Sequence, residues 1–189
     1  MGMGIMTICG AIFLGSAVTL SRVTAKTQSV TTSASQTNLA YLKLDRSVRY
    51  ASAISQPGRD SAGNWYVELR DTTSGDEVCT QLRLNNSTKR LEQRTWRTDT
   101  TPVVATAFRQ ISTGFTNGTA AYDASTAGDQ PFFLDPATNT AIHQKLTITL
   151  VSAAGTTGTS STSRSSFTLT ALNSTGSSSE SICQQVGRS

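Results

Sequence analysis

The chain has 189 residues, a formal net charge of +4, and only 15% charged residues. Its basic residues are spread among acidic ones, whereas a nucleic-acid-binding surface needs them clustered on one face, so we expect no nucleic-acid partner. Serine and threonine number 25 and 31, which favours an exported β-rich protein and argues against a cytosolic helical enzyme.

The segment Met1–Leu20 contains no charged residue, and the first charge of the chain is Arg22. About twenty residues of α-helix, each rising ~1.5 Å, span the hydrocarbon core of a bilayer. We therefore predict a transmembrane helix over residues 1–23. A secretory signal peptide ranks second because no basic residue precedes the apolar run, although small residues occur at Gly15-Ser16-Ala17 and Val23-Thr24-Ala25. A buried core helix ranks third because it would need a larger protein around it.

The basic residues after this segment and the rest of the chain predict opposite orientations of the helix in the membrane. Arg22 and Lys26 follow it, and the positive-inside rule would place that side in the cytoplasm. The polar β-rich region and its cysteines instead favour export. We expect basic residues upstream of Met1 in the full protein, which would remove the conflict and place the head outside.

Residues 24–56 are predicted to continue the helix as an amphipathic segment. Its first part, up to Gln36, is rich in Ser and Thr, which form a helix there only if it is packed or continuous with the preceding segment. An apolar stripe at spacings of three and four then marks one face. Gln56-Pro57-Gly58 is predicted to end a rod of about 50 residues. The stripe consists of Tyr41, Leu44, Val48 and Ala51, flanked by Leu42 and Ile54.

Residues 57–189 are predicted to form a β-rich globular head. The predicted fold class is therefore α+β, a long N-terminal helix, transmembrane over its first half, packed on an antiparallel β-sheet. After Gly63 the apolar period becomes two, and Asn85-Asn86-Ser87 is typical of a tight turn. Thr98–Pro136 is expected to be irregular and Gly155–Ser163 to be a flexible link. The predicted strands are a meander, Trp65–Leu69, Val78–Leu84 and Lys89–Trp96, and a hairpin, Gln144–Val151 and Ser166–Leu172.

Three cysteines occur in the chain. Cys9 lies in the apolar segment and is expected to act as a small buried hydrophobe. If the head is exported, Cys79 and Cys183 could form one long-range disulfide that ties the C-terminal tail to the sheet. Two separate buried thiols are the alternative, and we favour the disulfide. No Cys or His spacing of a zinc site occurs.

The sequence contains no local motif of a catalytic, cofactor-binding or metal site, and we predict none. His143 is the single histidine and is expected to be a surface or loop residue. Trp65, Tyr66 and Trp96 could form a sugar-binding surface, but aromatic residues on neighbouring strands more often fill a core or pair across strands. Two acidic sets could bind calcium, although they lack EF-hand spacing and solvated turn carboxylates are favoured. They are Asp71, Asp76 and Glu77, and Asp123, Asp129 and Asp135.

Several stretches resemble type IV pilin-like proteins, the prepilin class that includes minor pilins and type II secretion pseudopilins. MGMGIMTICGAIFLG is similar to the downstream part of the prepilin N-terminal segment, and LDRSVRYASAISQPG to the end of its long helix. NWYVEL with VCTQLRLNNSTKRLEQRTW resembles the first meander of such heads, and FTLTALN with SICQQVGRS resembles their final strand and cysteine-bearing tail. The family's basic leader and its Gly-Phe-Thr-x-x-Glu motif do not precede Met1, and we expect them upstream.

The resemblance implies a non-enzymatic structural subunit, a minor pilin or pseudopilin, of a type IV pilus or type II secretion filament. Residues 1–23 would then form the filament core, so the expected partners are other pilin or pseudopilin subunits and membrane lipid, without a cofactor. The expected location is the cell membrane, with one span and the head outside, or an extracellular filament. The alternative is a secreted or membrane-anchored β-rich binding module at the cell surface.

Overall fold

The computed structural model of the chain describes residues 2–115, 128, 130–138, 141–154, 161–174 and 182–188. Within these ranges one α-helix precedes a series of β-strands. The helix is α1 (Gly2–Arg49). The strands are β1 (Ala53–Ile54), β2 (Gly58–Arg59), β3 (Trp65–Asp71), β4 (Val78–Asn85), β5 (Arg90–Arg97), β6 (Arg109–Thr113), β7 (Phe132–Asp135), β8 (Lys145–Ala154) and β9 (Ser161–Thr170).

The strands form two antiparallel sheets. Sheet A has the order β1-β3-β4-β5-β6, with β2 also paired to β3, and sheet B has the order β7-β8-β9. The predicted meander is confirmed as β3-β4-β5, and its tight turn is held by the Asn85 side chain, whose Oδ1 accepts hydrogen bonds from the main-chain N–H groups of Ser87 and Thr88. Such a side-chain turn explains why an Asn-rich connection joins two long strands.

The main core lies where the C-terminal part of α1 meets both sheets. Leu44 and Val48 are fully buried on α1 and belong to one cluster with inward-facing residues such as Leu82 of sheet A and Ile148 of sheet B. α1 contacts β6 of sheet A and β8 and β9 of sheet B. Because the same face of one helix is buried against both sheets, α1 determines how the sheets sit together.

The predicted fold class, a transmembrane helix packed on one antiparallel sheet, is wrong. The chain is mostly β outside α1, its strands form two sheets, and the described side chains of α1 are buried in the core only from Ala40 onwards. Along the described part of the chain, no helix combines the length and the apolar character needed to cross a membrane. Between Gly15 and Thr24, one glycine, four hydroxyl-bearing residues and the single charged residue Arg22 interrupt the apolar run, which lowers its hydrophobicity. The predicted transmembrane helix and the predicted single-pass membrane location are corrected accordingly.

The predicted end of the helix is also wrong. α1 ends at Arg49, before Gln56-Pro57-Gly58, because the intervening residues join sheet A as β1. Ala53 pairs with Arg70 and Ile54 pairs with Leu69 of β3. The apolar stripe that indicated helix up to Ile54 therefore changes from helix to strand without leaving the core.

The region predicted to be irregular contains two short strands. β6 pairs with β5 after a bulge between Leu91 and Glu92, and β7 pairs with β8. Both are short and lack a long alternating pattern, so their pairing depends on neighbouring strands. Of the predicted flexible link, residues 155–160 lie outside the described residues, and β9 begins at Ser161.

Candidate functional site

The N-terminal part of α1 carries an apolar surface, called here the helix surface, that the head does not cover. Its large side chains are more than half exposed, up to 75% at Phe13. At about 100° of rotation per residue, these side chains point to three different sides of the helix. The helix surface consists of Phe13, Leu14, Val18, Leu20 and Val23.

Threonine hydroxyls along the same helix are hydrogen-bonded within the helix itself. Thr19 Oγ1 donates to the Gly15 carbonyl at 2.9 Å, and Thr24 Oγ1 donates to the Leu20 carbonyl at 2.9 Å. Thr27, Thr31 and Thr32 make the same contact with the residue four positions earlier. Each of these hydroxyls therefore has a partner inside its own helix, so the surrounding surface can be buried without leaving them unsatisfied.

The second candidate region is the outer face of sheet A, the face opposite α1. Side chains alternate along a strand, so apolar residues of β3, β4 and β5 face the core while the residues between them face outward. Tyr66 lies opposite Arg83, and Arg83 opposite Glu92. Glu68 lies opposite Gln81, and Gln81 opposite Arg94. These polar side chains are largely covered rather than solvated.

Glu68 is the most deeply placed charge on the outer face, at 3% exposure. Ser55 Oγ donates to its Oε2 at 2.5 Å, and Gln81 Nε2 donates to its Oε1 at 2.8 Å. Arg188 completes the arrangement, with Nε 3.0 Å from Oε1 and Nη2 2.6 Å from Oε2. A buried carboxylate is tolerated only when it is paired and hydrogen-bonded in this way.

Two further arginines share the face of one aromatic ring. The Cζ atom of Arg83 lies 3.5 Å, and that of Arg94 4.5 Å, from the centre of the Phe108 ring. Arg83 also donates to Glu92 Oε2 at 2.7 Å, and Arg94 Nη2 donates to the Gly187 carbonyl at 2.6 Å. Burial lowers the pKa of Arg94. The ring and the nearby carboxylate offset the repulsion between the neighbouring guanidinium groups.

A disulfide joins the outer face to the C-terminal segment, defined here as Ile182–Arg188. The Sγ atoms of Cys79 and Cys183 are 1.98 Å apart, so the structure has the bridge that we favoured over two separate thiols. Around it lies a small second apolar cluster that includes Trp96. The half-buried residues packed against this cluster are Val103, Ala105 and Val186.

An open groove of about 620 Å³ runs beside this disulfide. One wall is formed by the C-terminal segment, and the other by the main chain and side chains around Gln56 and Pro57. Glu68 and Arg188 also line it. The groove is thus the solvent-facing entrance to the buried ion pair.

The aromatic residues considered for sugar binding do not form an exposed surface. Trp65 faces the main core, whereas Tyr66 and Trp96 lie on the other side of the sheet, and all three are buried. His143 Nδ1 is 3.0 Å from the Ser174 carbonyl, so this half-buried histidine has a structural contact. Among the described residues, no group of acidic, His or Cys side chains is arranged to hold a metal ion. Asp123 and Asp129 lie outside them.

Asp60 and Tyr66 form a hydrogen-bonded pair at one end of the outer face, with the Tyr66 hydroxyl 3.1 Å from Asp60 Oδ2. Burial raises the pKa of Tyr66. Burial also raises the pKa of Asp60, but hydrogen bonds from Asn64, Tyr66 and Ala62 outweigh it, so the pKa lies below its ordinary value. Tyr66 therefore contributes stability below its ordinary pKa, and the contribution is lost as pH rises through the folded-state value. Asp60 stabilises the folded state at pH values above its ordinary pKa, and this stabilisation is lost as pH falls through its folded-state pKa.

Replacing Tyr66 by phenylalanine is expected to lower the free energy of unfolding by about 1 kcal/mol at neutral pH, because one buried hydrogen bond is lost. Above about pH 10, where an unfolded tyrosine ionises, the difference between Tyr66→Phe and the wild type should shrink. Urea unfolding at pH 7 and in this alkaline range measures both effects. A difference that grows with pH would contradict the assignment, and Tyr50→Phe, at an exposed tyrosine, is the control.

Sequence reasoning missed Glu68 and Arg188 as partners. The only local signal is a glutamate at a position flanked by the apolar Val67 and Leu69 within a predicted strand. Nothing near Arg188 indicates its partner, which lies 120 residues earlier in the chain.

Comparisons of the chain with protein-family models, with curated proteins and with solved structures found no match.

Proposed function

We propose that the chain is a non-enzymatic structural subunit of a filament of the type IV pilus or type II secretion kind, and that it assembles through α1. The observation that supports this most directly is the helix surface, with large apolar side chains exposed on three sides of one helix. Exposed apolar surfaces of this kind mark interaction sites in proteins.

The distribution of these side chains favours several neighbours over one. Phe13 and Leu20 lie on one side, Leu14 and Val18 on a second, and Val23 on a third. Burying each side chain contributes about 1.5–3 kcal/mol. One partner helix would cover only one side, so a subunit that buries all three needs a repeating, head-to-tail arrangement of copies or of related subunits.

The chemistry of the helix also suits close packing. Gly15 has nothing within 4 Å of the position where a Cβ would stand, so a neighbouring helix can approach its backbone. The back-bonded Thr19 and Thr24 hydroxyls leave their methyl groups to contact a partner. The resemblance of the apolar segment to prepilins, whose helices form the filament core, supports the same arrangement.

Disulfide cross-linking tests the proposal in the host. The pair Val18→Cys/Val23→Cys, introduced into the Cys9→Ala chain, places two thiols on different sides of α1 and is expected to give a ladder of dimers, trimers and larger species after mild oxidation if neighbouring helices surround α1. The ladder is read by non-reducing electrophoresis of native material. The matched control is Val104→Cys/Ile142→Cys in the same background, because these side chains are similarly exposed, at 71% and 66%, but lie on the head.

A Val18→Cys/Val23→Cys chain that stays monomeric, or that stops at a dimer, would contradict a multi-neighbour filament core. A second variant provides an independent test. Val18→Asp should abolish recovery of the subunit in filaments while leaving the unfolding midpoint of the head unchanged, since Val18 is 51% exposed and outside the core cluster. Assembly at the wild-type level would overturn the proposal.

A further inference from the structure

The position that holds the Arg188 guanidinium, called here the Glu68 seat, is built almost entirely by sheet A and the segment leading into it. Glu68 comes from β3, Gln81 from β4, and Ser55 and Gln56 from the connection between β1 and β2. Ser55 and Gln81 each donate a hydrogen bond to the Glu68 carboxylate, and neither belongs to the C-terminal segment. Two of the contacts that position the carboxylate therefore do not depend on Arg188.

The contacts in the Glu68 seat match a guanidinium group in particular. Arg188 approaches both carboxylate oxygens through Nε and Nη2, and the same Nη2 donates to the Gln56 carbonyl at 2.7 Å. Paired parallel hydrogen bonds of this kind are specific to the planar fork of arginine, and a lysine ammonium cannot reproduce them. A Cβ atom at position 58 would overlap Nη1 of Arg188, so Gly58 leaves the room that the fork requires.

The two partners of this ion pair, Glu68 and Arg188, differ in their exposure to solvent. The Glu68 side chain is 5% exposed, whereas that of Arg188 is 33% exposed and borders the open groove. The arginine also belongs to a segment anchored by its own disulfide five residues earlier, at Cys183. Arg188 is thus the more accessible partner of the ion pair.

We propose that the Glu68 seat is a binding site for an arginine side chain, occupied in this chain by its own Arg188 and able to accept an arginine presented by a partner chain. The ligand class is an alkylguanidinium on a short extended segment that enters along the groove. The seat lies on the outer face of sheet A, opposite α1, so its occupation is independent of helix packing in the proposed filament.

Chemical rescue of Arg188→Ala tests this site. The variant is expected to unfold at a lower temperature than the wild type, and L-argininamide should raise its midpoint with the logarithm of its concentration above the dissociation constant, by about 3–6 °C at ten times that constant. The wild type, whose seat is filled, should show no such rise. L-lysinamide at the same concentration controls for ionic strength and for the positive charge.

The double variant Glu68→Gln/Arg188→Ala should lose the response to L-argininamide. An equal rise with L-lysinamide, or a rise that persists in the double variant, would overturn the proposal. If Arg188→Ala does not fold, Arg188→Lys takes its place in the test, because lysine retains a cation but lacks the planar fork of the guanidinium group. The same rise is then expected at higher argininamide concentration, and its absence would overturn the site. None of these outcomes depends on filament assembly.

Discussion

Replacing both Cys79 and Cys183 by alanine is expected to lower the free energy of unfolding by about 2–5 kcal/mol. The bridge closes a loop with a sequence separation of 104 residues, so in the chain-entropy view it removes much of the freedom of the unfolded chain. Its loss also weakens the second apolar cluster around Trp96, which is built on the two cysteines. Urea unfolding monitored by tryptophan fluorescence measures the change.

Reduction provides an independent check of the same contribution. Dithiothreitol should bring the wild type to the stability of Cys79→Ala/Cys183→Ala and leave that double variant unchanged. Cys9→Ala, which retains the bridge, is the matched control and should unfold like the wild type. A double variant as stable as the wild type would show that the bridge does not stabilise the head.

The disulfide and the ion pair of Arg188 hold the same segment, so their effects should not be additive. With the bridge intact, the segment is fixed at Cys183 and the guanidinium is kept near Glu68. Without the bridge, formation of the ion pair must also order the intervening residues, and that entropy cost weakens it. Arg188→Ala should therefore cost less in the bridge-free chain, a coupling that a double-mutant cycle reports.

Local pattern was enough to predict the meander of sheet A. The alternation in VCTQLRL places Leu82 and Leu84 on one face and Cys79 and Gln81 on the other, and the structure confirms it for β4. The two-residue period alone does not show that the outer face of β4 is also covered by other parts of the chain. The residues that cover it, Phe108 and the C-terminal segment, are distant in sequence and carry no local sign of their destination.

The predictions for the helix show a related limit. Spacing placed Leu42 beside the buried stripe, yet it is 61% exposed while Leu44 is fully buried. The absence of charge before Arg22 suggested a membrane span, whereas the described helix is not apolar enough for one. The end of α1 was misplaced because Ala53 and Ile54 suit a strand as well as a helix, and only pairing with β3 decides between them.

The disulfide could be predicted only in part from the sequence. Sequence limited the cysteines of the head to one possible pair but gave no distance between them. The fold brings the two cysteines together, because β4 carries Cys79 on the outer face and the C-terminal segment passes over that face. The expectations on catalysis, cofactors and partners stay predictions.

Replacing Leu44 by alanine is expected to lower the free energy of unfolding by about 2–5 kcal/mol, because the cavity would open in a fully packed core. Leu44 is 0% exposed and lies in the cluster that contains residues of both sheets. α1 contacts both sheets, in addition to direct contacts between them such as the bridge between Phe115 and Ser152 and the hydrogen bond from the Ile54 N–H to Gln144 Oε1. A cavity at Leu44 should therefore weaken both sheets together.

Leu42→Ala is the matched control for this substitution, since it makes the same chemical change two residues away on the exposed side of α1. Its effect on the free energy of unfolding should stay within about 0.5 kcal/mol of zero. Hydrogen exchange of Leu44→Ala should show reduced protection in β6 of sheet A and in β8 of sheet B alike, because both contact α1. Loss of protection confined to one sheet would mean that the helix does not couple them.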